Sequence, residues 1–214
     1  MEFEGLNLTW FGHSSFLIKN KLRIYIDPYQ VNSLEKADII LITHSHYDHC
    51  SIEDLRKIIK KDTSIIIPVD CQSKISKLDE NINVTVLEPG KYVSIKGVDI
   101  KAVPAYNVDK QFHERAESWN GYVLNVDGKK IYHAGDTDLI PEMSELEGID
   151  IALLPVSGVY VMTAEEAARA AILIRPKLSI PMHYSNIVGS EEDALRFMER
   201  CEQEGVSCKI LESE

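Results

Sequence analysis

Several signatures are missing from this sequence, and each absence closes a class of function. No apolar run approaches the roughly 18 residues of a membrane-spanning helix, so no membrane is expected as a partner. The opening Met1-Glu2-Phe3-Glu4-Gly5 has neither the basic flank nor the apolar stretch of a secretory signal, and the cysteines Cys50, Cys71, Cys201 and Cys208 form no CxxC pair. A reducing cytoplasm is the expected compartment. There is no GxSxG elbow, no Walker loop and no dinucleotide fingerprint, which leaves a serine nucleophile, a nucleoside triphosphatase and a nicotinamide enzyme without motif support. Basic excess is lacking too: 23 Lys and Arg stand against 34 Asp and Glu, a net charge of −11. A broad surface for gripping long nucleic acid is therefore not expected, and a small-molecule substrate is. The basic cluster Lys57, Lys60 and Lys61 reads as a solvated helix face. No Pro/Gly/Ser-rich linker interrupts the 214 residues, so 1–214 reads as one domain, and a homo-oligomer is compatible with it.

What is present is an ordinary globular balance, 44% hydrophobic and 27% charged, with a clear rhythm. Short strands are expected at 6–11, 14–19 and 22–27, then a buried apolar strand at 37–43 and a helix at about 51–60 favoured by Ser51, Glu53 and Asp54. Strands at 63–69, 83–87, 91–96 and 98–103 follow. The second half repeats the pattern: strands at 121–126 and 129–133 turned by Asp127-Gly128, a helix near 139–146, and a strand at 149–154. Thr163-Ala164-Glu165-Glu166 is a capping box opening a helix to about 174, with Pro176 just beyond. A strand at 177–182, a helix at 191–203 and a strand at 207–211 complete it. Two halves, each strand-rich and then helix-bearing, predict an α/β fold of the αββα sandwich type.

The chemistry concentrates in His44-Ser45-His46-Tyr47-Asp48-His49. Random placement would produce HxHxDH in a chain of this composition with a probability of about 5 in 10,000. Three imidazoles and a carboxylate in so short a loop make most sense around a cation. The motif begins where the apolar strand Ala37–Thr43 stops. Two further donors share that placement, Asp136 after Lys130–Gly135 and His183 after Lys177–Met182, and ligand sites in open α/β sheets form outside the carboxyl ends of strands. Imidazole with carboxylate suits zinc, with manganese or iron as alternatives. Cys50, directly after the motif, reads as a small packing residue. His13 reads as structural or as a support for the pocket, and His133 as packing. Asp27 serves either as turn chemistry before Pro28 or as a buttress. Loops 28–36, 106–120 and 157–162 are expected to shape the pocket, Tyr160 among them.

These residues resemble the metallo-β-lactamase superfamily. The HxHxDH run, the Gly135-Asp136-Thr137 turn and the late His183 carry the likeness, while Trp10–Ile18 and Ile26-Asp27-Pro28-Tyr29 resemble the opening of its ascorbate-6-phosphate-lactonase-like branch. The resemblance implies the αββα fold, two divalent metal ions and hydrolysis of a small ester, lactone, amide or phosphoester. It further implies that His44 and His46 hold the first metal, that Asp48, His49 and His183 hold the second, and that Asp136 bridges the pair. Asp48, Asp136 and His183 would also serve catalysis. The family offers another histidine to the first metal where this chain has Asn107; His113 is the available substitute, and His113, Asn107 or water remains open there. Rival readings are a metal-stabilised regulatory or scaffold protein without turnover, a di-iron redox protein, and a nuclease acting on short nucleic acid.

Overall fold

Isoleucine-rich runs buried on both faces dominate the first part of the chain, and they pair in parallel. The computed structural model describes residues 1–33, 35–78 and 82–214; position 34, inside the first expected pocket loop, lies outside them. Two compact units divide the chain, Met1–Leu87 with Leu211–Glu214, and Glu88–Ile210.

In the first unit, strands β1 (Glu2–Phe3), β2 (Leu6–Trp10), β3 (Phe16–Lys19), β4 (Arg23–Ile26), β5 (Ile39–Leu41), β6 (Ser64–Ile67) and β7 (Asn83–Val86) lie side by side in chain order. The pairings from β1 to β4 are antiparallel and those from β4 to β7 parallel. Every residue of β5 and β6 is buried, the near-continuous apolar run that parallel strands covered on both faces require. Helix α1 (Ile52–Ile58) and the short α2 (Gln72–Ile75) follow β5 and β6. Leu55 and Ile58 of α1 and Ile75 of α2 join Tyr25, Ile40 and Ile65 in one cluster. Each such side chain contributes about 1.5–3 kcal/mol when fully buried. Lys57 pairs with Asp54 at 2.9 Å and Lys60 with Asp38 at 2.5 Å, as expected of a solvated face.

In the second unit, β8 (Tyr92–Ile95), β9 (Val98–Pro104), β10 (Asn120–Val126), β11 (Lys129–His133), β12 (Ile151–Pro155) and β13 (Leu178–Met182) form a sheet ordered β13-β12-β11-β10-β9-β8, antiparallel from β8 to β11 and parallel from β11 to β13. Helix α3 (Ala164–Ile174) opens on the expected capping box: Thr163 N donates to Glu166 Oε2 at 2.9 Å, and Glu166 N to Thr163 Oγ1 at 3.2 Å. Its buried face is alanine-rich, letting it approach β12 and the helix α4 (Glu191–Gln203) closely. Gly121 allows another close approach, because a Cβ there would stand 2.7 Å from the Ala134 carbonyl oxygen at the end of β11.

Two expected elements differ. The helix expected near 139–146 is a 3-10 turn over Pro141–Glu145, and it begins no earlier than Pro141 because Ile140 ahead of the proline is held extended (φ −110°, ψ 151°). Residues 207–211 form no strand but a single bridge, Ser179 with Cys208, in which Ser179 N donates to Ser207 O and Lys209 N to Ser179 O. Further pairing on that side would need the N–H of residue 181, which is a proline. Among the described residues, no helix is long and apolar enough to cross a membrane.

Candidate metal centre

The end of β5 is shaped by a side chain. Thr43 N leaves the ladder and donates to Asp27 Oδ1 at 2.8 Å, while Thr43 Oγ1 donates to Asp27 Oδ2 at 2.6 Å. His49 Nδ1 reaches the same Oδ2 at 2.7 Å, so one fully buried carboxylate holds both ends of the HxHxDH loop. Asp27 itself sits at φ +45°, a conformation uncommon for a residue with a side chain. The buttress reading of this residue is the one the geometry matches.

These bonds decide which ring nitrogen carries the hydrogen. A carboxylate only accepts, so Nδ1 of His49 donates, and its Nε2 is the lone-pair nitrogen of the neutral ring. Thr43 has given its hydroxyl hydrogen to Asp27, so its 3.0 Å contact with His44 is a donation from His44 Nδ1, again leaving Nε2 as the ligating type of nitrogen. His44 Nε2 lies 3.0 Å from Nδ1 of the exposed His46. The edge of a tetrahedral zinc site with Zn–N bonds of 2.0–2.1 Å is about 3.3 Å, so the two nitrogens converge as a pair of ligands would. Asp48 Oδ2 lies 2.9 Å from His13 Nε2 and 3.7 Å from His49 Nε2. His13 is thus a close neighbour of Asp48, held at φ +50° in the turn between β2 and β3.

The second unit carries the same pattern independently. His113 Nδ1 faces the Tyr160 carbonyl at 3.1 Å and Asn107 Oδ1 at 3.2 Å, both acceptors, and its Nε2 lies 3.3 Å from Asp136 Oδ2. His183 Nδ1 faces Ser157 Oγ at 2.9 Å, and its Nε2 lies 3.0 Å from the same Asp136 oxygen. Asp136 therefore stands between two imidazoles, next to the end of β11. Asn107 Oδ1 also accepts from His113 N at 3.2 Å, and Asn107 Nδ2 donates to Tyr160 O at 2.8 Å. Asn107 and His113 are thus hydrogen-bonded to one another. Lys110 on Asp138, and the Tyr106 hydroxyl and Arg115 on Glu142, tie down the loop that carries His113. His183 has φ +60° and Ser185 φ +56°; strained backbone of this kind collects at functional sites.

Other nearby groups are quieter. His133 Nδ1 faces the Gly135 N–H at 3.2 Å inside the core, in keeping with packing. Tyr184, just after His183, has its phenol pushed up to about 12 by burial and by Glu191, so it stays neutral near pH 7. Cys50 packs against Cys71, whose thiol is pushed up by the hydrogen bond with Cys50 and by burial. Neither cysteine is among the donors above.

A sequence model described as a beta-lactamase superfamily domain matches residues 7–183. The UPF0173 metal-dependent hydrolase TV0864 of Thermoplasma volcanium is 36% identical over 203 residues, covering 90% of this chain and 89% of the relative. The chain belongs to this family. As a UPF0173 member it has the metallo-β-lactamase fold, and two solved structures agree. A Parabacteroides distasonis protein, described as a candidate metal-dependent hydrolase, has a TM-score of 0.87 at 36% identity, with 98% and 94% of the two chains covered. Igni18, a metallo hydrolase of Ignicoccus hospitalis, has a TM-score of 0.80 at 28% identity, with 97% and 95% covered. The α/β class expected from the sequence is thereby shown, and so is membership of a family of metal-dependent hydrolases. His13, Thr43 and Ser157 received no definite role from sequence. Their signal was faint: a histidine beside a turn glycine, and hydroxyl residues at strand ends.

Proposed function

We propose that this UPF0173 protein is a cytoplasmic hydrolase of small esters, lactones or phosphoesters whose two donor sets serve one dinuclear centre. One observation carries the reading: in both units the contacts of Nδ1 turn the Nε2 side of the imidazoles toward the neighbouring donors, the arrangement by which proteins orient metal-binding histidine. In this assignment His44, His46 and His113 hold the first ion, Asp48, His49 and His183 the second, and Asp136 is shared. Two divalent ions, zinc first and manganese or iron next, would supply water activation near neutral pH and stabilise charge developing on the substrate oxygen. The chain's own part is orientation: Asp27, Thr43, Asn107 and Ser157 fix the rings, and Asp48, contacted by His13, is placed to accept a proton. The family match runs through both units, which supports one functional domain over 1–214. The likeness of Trp10–Ile18 to the lactonase-like branch favours lactones and phosphoesters within the range.

Metal-loaded protein screened against phosphodiesters, phosphomonoesters, lactones and thioesters tests the activity; turnover abolished by chelation and restored by metal is the expected result. Elemental analysis after reloading at neutral pH should give close to two ions per chain, because six or more strong donors exceed one tetrahedral site. Fewer than one ion per chain overturns the dinuclear assignment. For the substituted ligand, His113→Ala should weaken one metal by about 10-fold or more, while Asn107→Ala costs less, since the Tyr160 carbonyl still orients the ring. Equal affinities for wild type and His113→Ala in a chelator competition would remove His113 from the set.

A further inference from the structure

Beside the HxHxDH loop, wholly within the first unit, lies a pocket of about 540 Å³, inside the range of small-ligand sites. Its walls include Tyr29, Tyr47, Lys57, Lys74 and Lys77. Tyr47 belongs to the motif itself, is 63% exposed, and meets the Tyr29 ring edge-on with 6.0 Å between centroids. Lys74 is half-buried and donates to the backbone carbonyl of Ser45, tying its ammonium to the same loop.

The charges around this pocket do not cancel. Lys57 is balanced by Asp54 at 2.9 Å and Glu53 at 3.4 Å. Asp54 is further occupied by Gln30 N, Val31 N and Ser51 Oγ, so its charge is spent ordering the pocket wall. Lys74 and Lys77 form no ion pair among the described residues. Among the described lining residues three lysines stand against Glu53 and Asp54, one net positive charge in a concave site, and on a protein of net charge −11 that makes a local attraction for an anion that the rest of the surface opposes. Ammonium groups act there as point charges with several donors, suited to a compact oxyanion.

We infer that this pocket receives an anionic head group, phosphate or carboxylate, on the substrate, held by Lys74 and Lys77 and flanked by Tyr29 and Tyr47, so that the bond to be cleaved lies beside the HxHxDH loop. The substrate class is then anionic esters or lactones rather than neutral ones. This rests on the hydrolase reading, but its test separates from it. Zinc-loaded protein is assayed with 4-nitrophenyl butyrate and with mono-4-nitrophenyl succinate, which share a leaving group and differ in the added carboxylate. Inorganic phosphate is tested as an inhibitor of both and titrated directly by phosphorus NMR. In the Lys74→Met/Lys77→Met double variant, at unchanged metal content, the succinate-to-butyrate ratio of kcat/KM should fall at least 10-fold. If phosphate is the better head group, its inhibition and binding should weaken at least as much. Lys77→Met alone, which leaves the Ser45 contact intact, should show part of the loss, and Lys74→Arg should restore most of it. An unchanged ratio and unchanged phosphate binding in the variants overturn the pocket while leaving a hydrolase. Lysine-dependent phosphate binding with no ester turned over keeps the pocket and sinks the hydrolase.

Discussion

Asp136→Asn should lower kcat/KM about 100-fold or more on any substrate the wild type hydrolyses, roughly 2.7 kcal/mol of transition-state stabilisation, with little change in folding. The expectation follows from one oxygen. Asp136 Oδ2 lies 3.0 Å from His183 Nε2 and 3.3 Å from His113 Nε2, so whatever cation these rings hold is neutralised by this carboxylate. Asparagine keeps the shape but removes the charge, and one of its two orientations turns an NH2 toward the cation. The core is not at stake: the residue follows a completed strand, and its neighbours Ala134 and Thr137 are anchored independently, Ala134 N to Leu153 O and Thr137 Oγ1 to Tyr106 O. Steady-state kinetics beside a thermal melt separate the two cases. A metal serving stability alone would show a lowered Tm with no turnover to lose. An active wild type whose Asp136→Asn variant keeps its full rate would remove Asp136 from the shared position.

Features encoded within a few residues were legible before the structure. The HxHxDH run stands at the end of an apolar strand, the Thr163–Glu166 box opens α3 as its spacing requires, and α4 has the bounds its pattern suggested. Features that depend on distant chain segments were not. Asp27 and His49 are 22 positions apart, His13 and Asp48 are 35 apart, and Ser157 and His183 are 26 apart; no periodicity links them. The two mistaken elements fail for a related reason. Residues 139–146 have helical composition, but Pro141 dictates the conformation of Ile140; residues 207–211 have strand composition, but their partner β13 offers a proline where the ladder would continue. Local propensity was overruled in each case by a proline, which restricts the residue ahead of it at Ile140 and lacks the N–H the ladder needs at position 181. Asn107 shows how close the two levels lie. Sequence left it as a rival ligand to His113, and the two side chains meet at 3.2 Å, a contact between positions six apart that no local pattern signals.

Asp27→Asn should weaken zinc binding by about 10- to 100-fold although Asp27 touches none of the proposed metal positions. Three donors converge on this carboxylate, the Thr43 N–H, the Thr43 hydroxyl and His49 Nδ1–H, at 2.8, 2.6 and 2.7 Å. Asparagine presents a single acceptor oxygen. With that oxygen toward Thr43 N–H, its NH2 faces the ring of His49 and disfavours the Nδ1–H tautomer that leaves Nε2 for a cation. With the amide reversed, the buried Thr43 N–H loses its acceptor, a loss of about 1–3 kcal/mol, and the strand end that launches the motif loosens. In the first orientation the hydroxyl of Thr43 also loses its acceptor, so it can donate to His44 Nδ1 and reverse that tautomer as well. The damage thus spreads to His44 and His49 through one side chain. Thr43→Ser, which keeps the hydroxyl, should cost far less than Asp27→Asn, and a chelator competition with a melt run on metal-free protein distinguishes ring orientation from plain instability. Wild-type zinc affinity in Asp27→Asn, with an unaltered metal-free melt, would reduce Asp27 to a turn residue before Pro28 and leave the orientation of His49 to its packing.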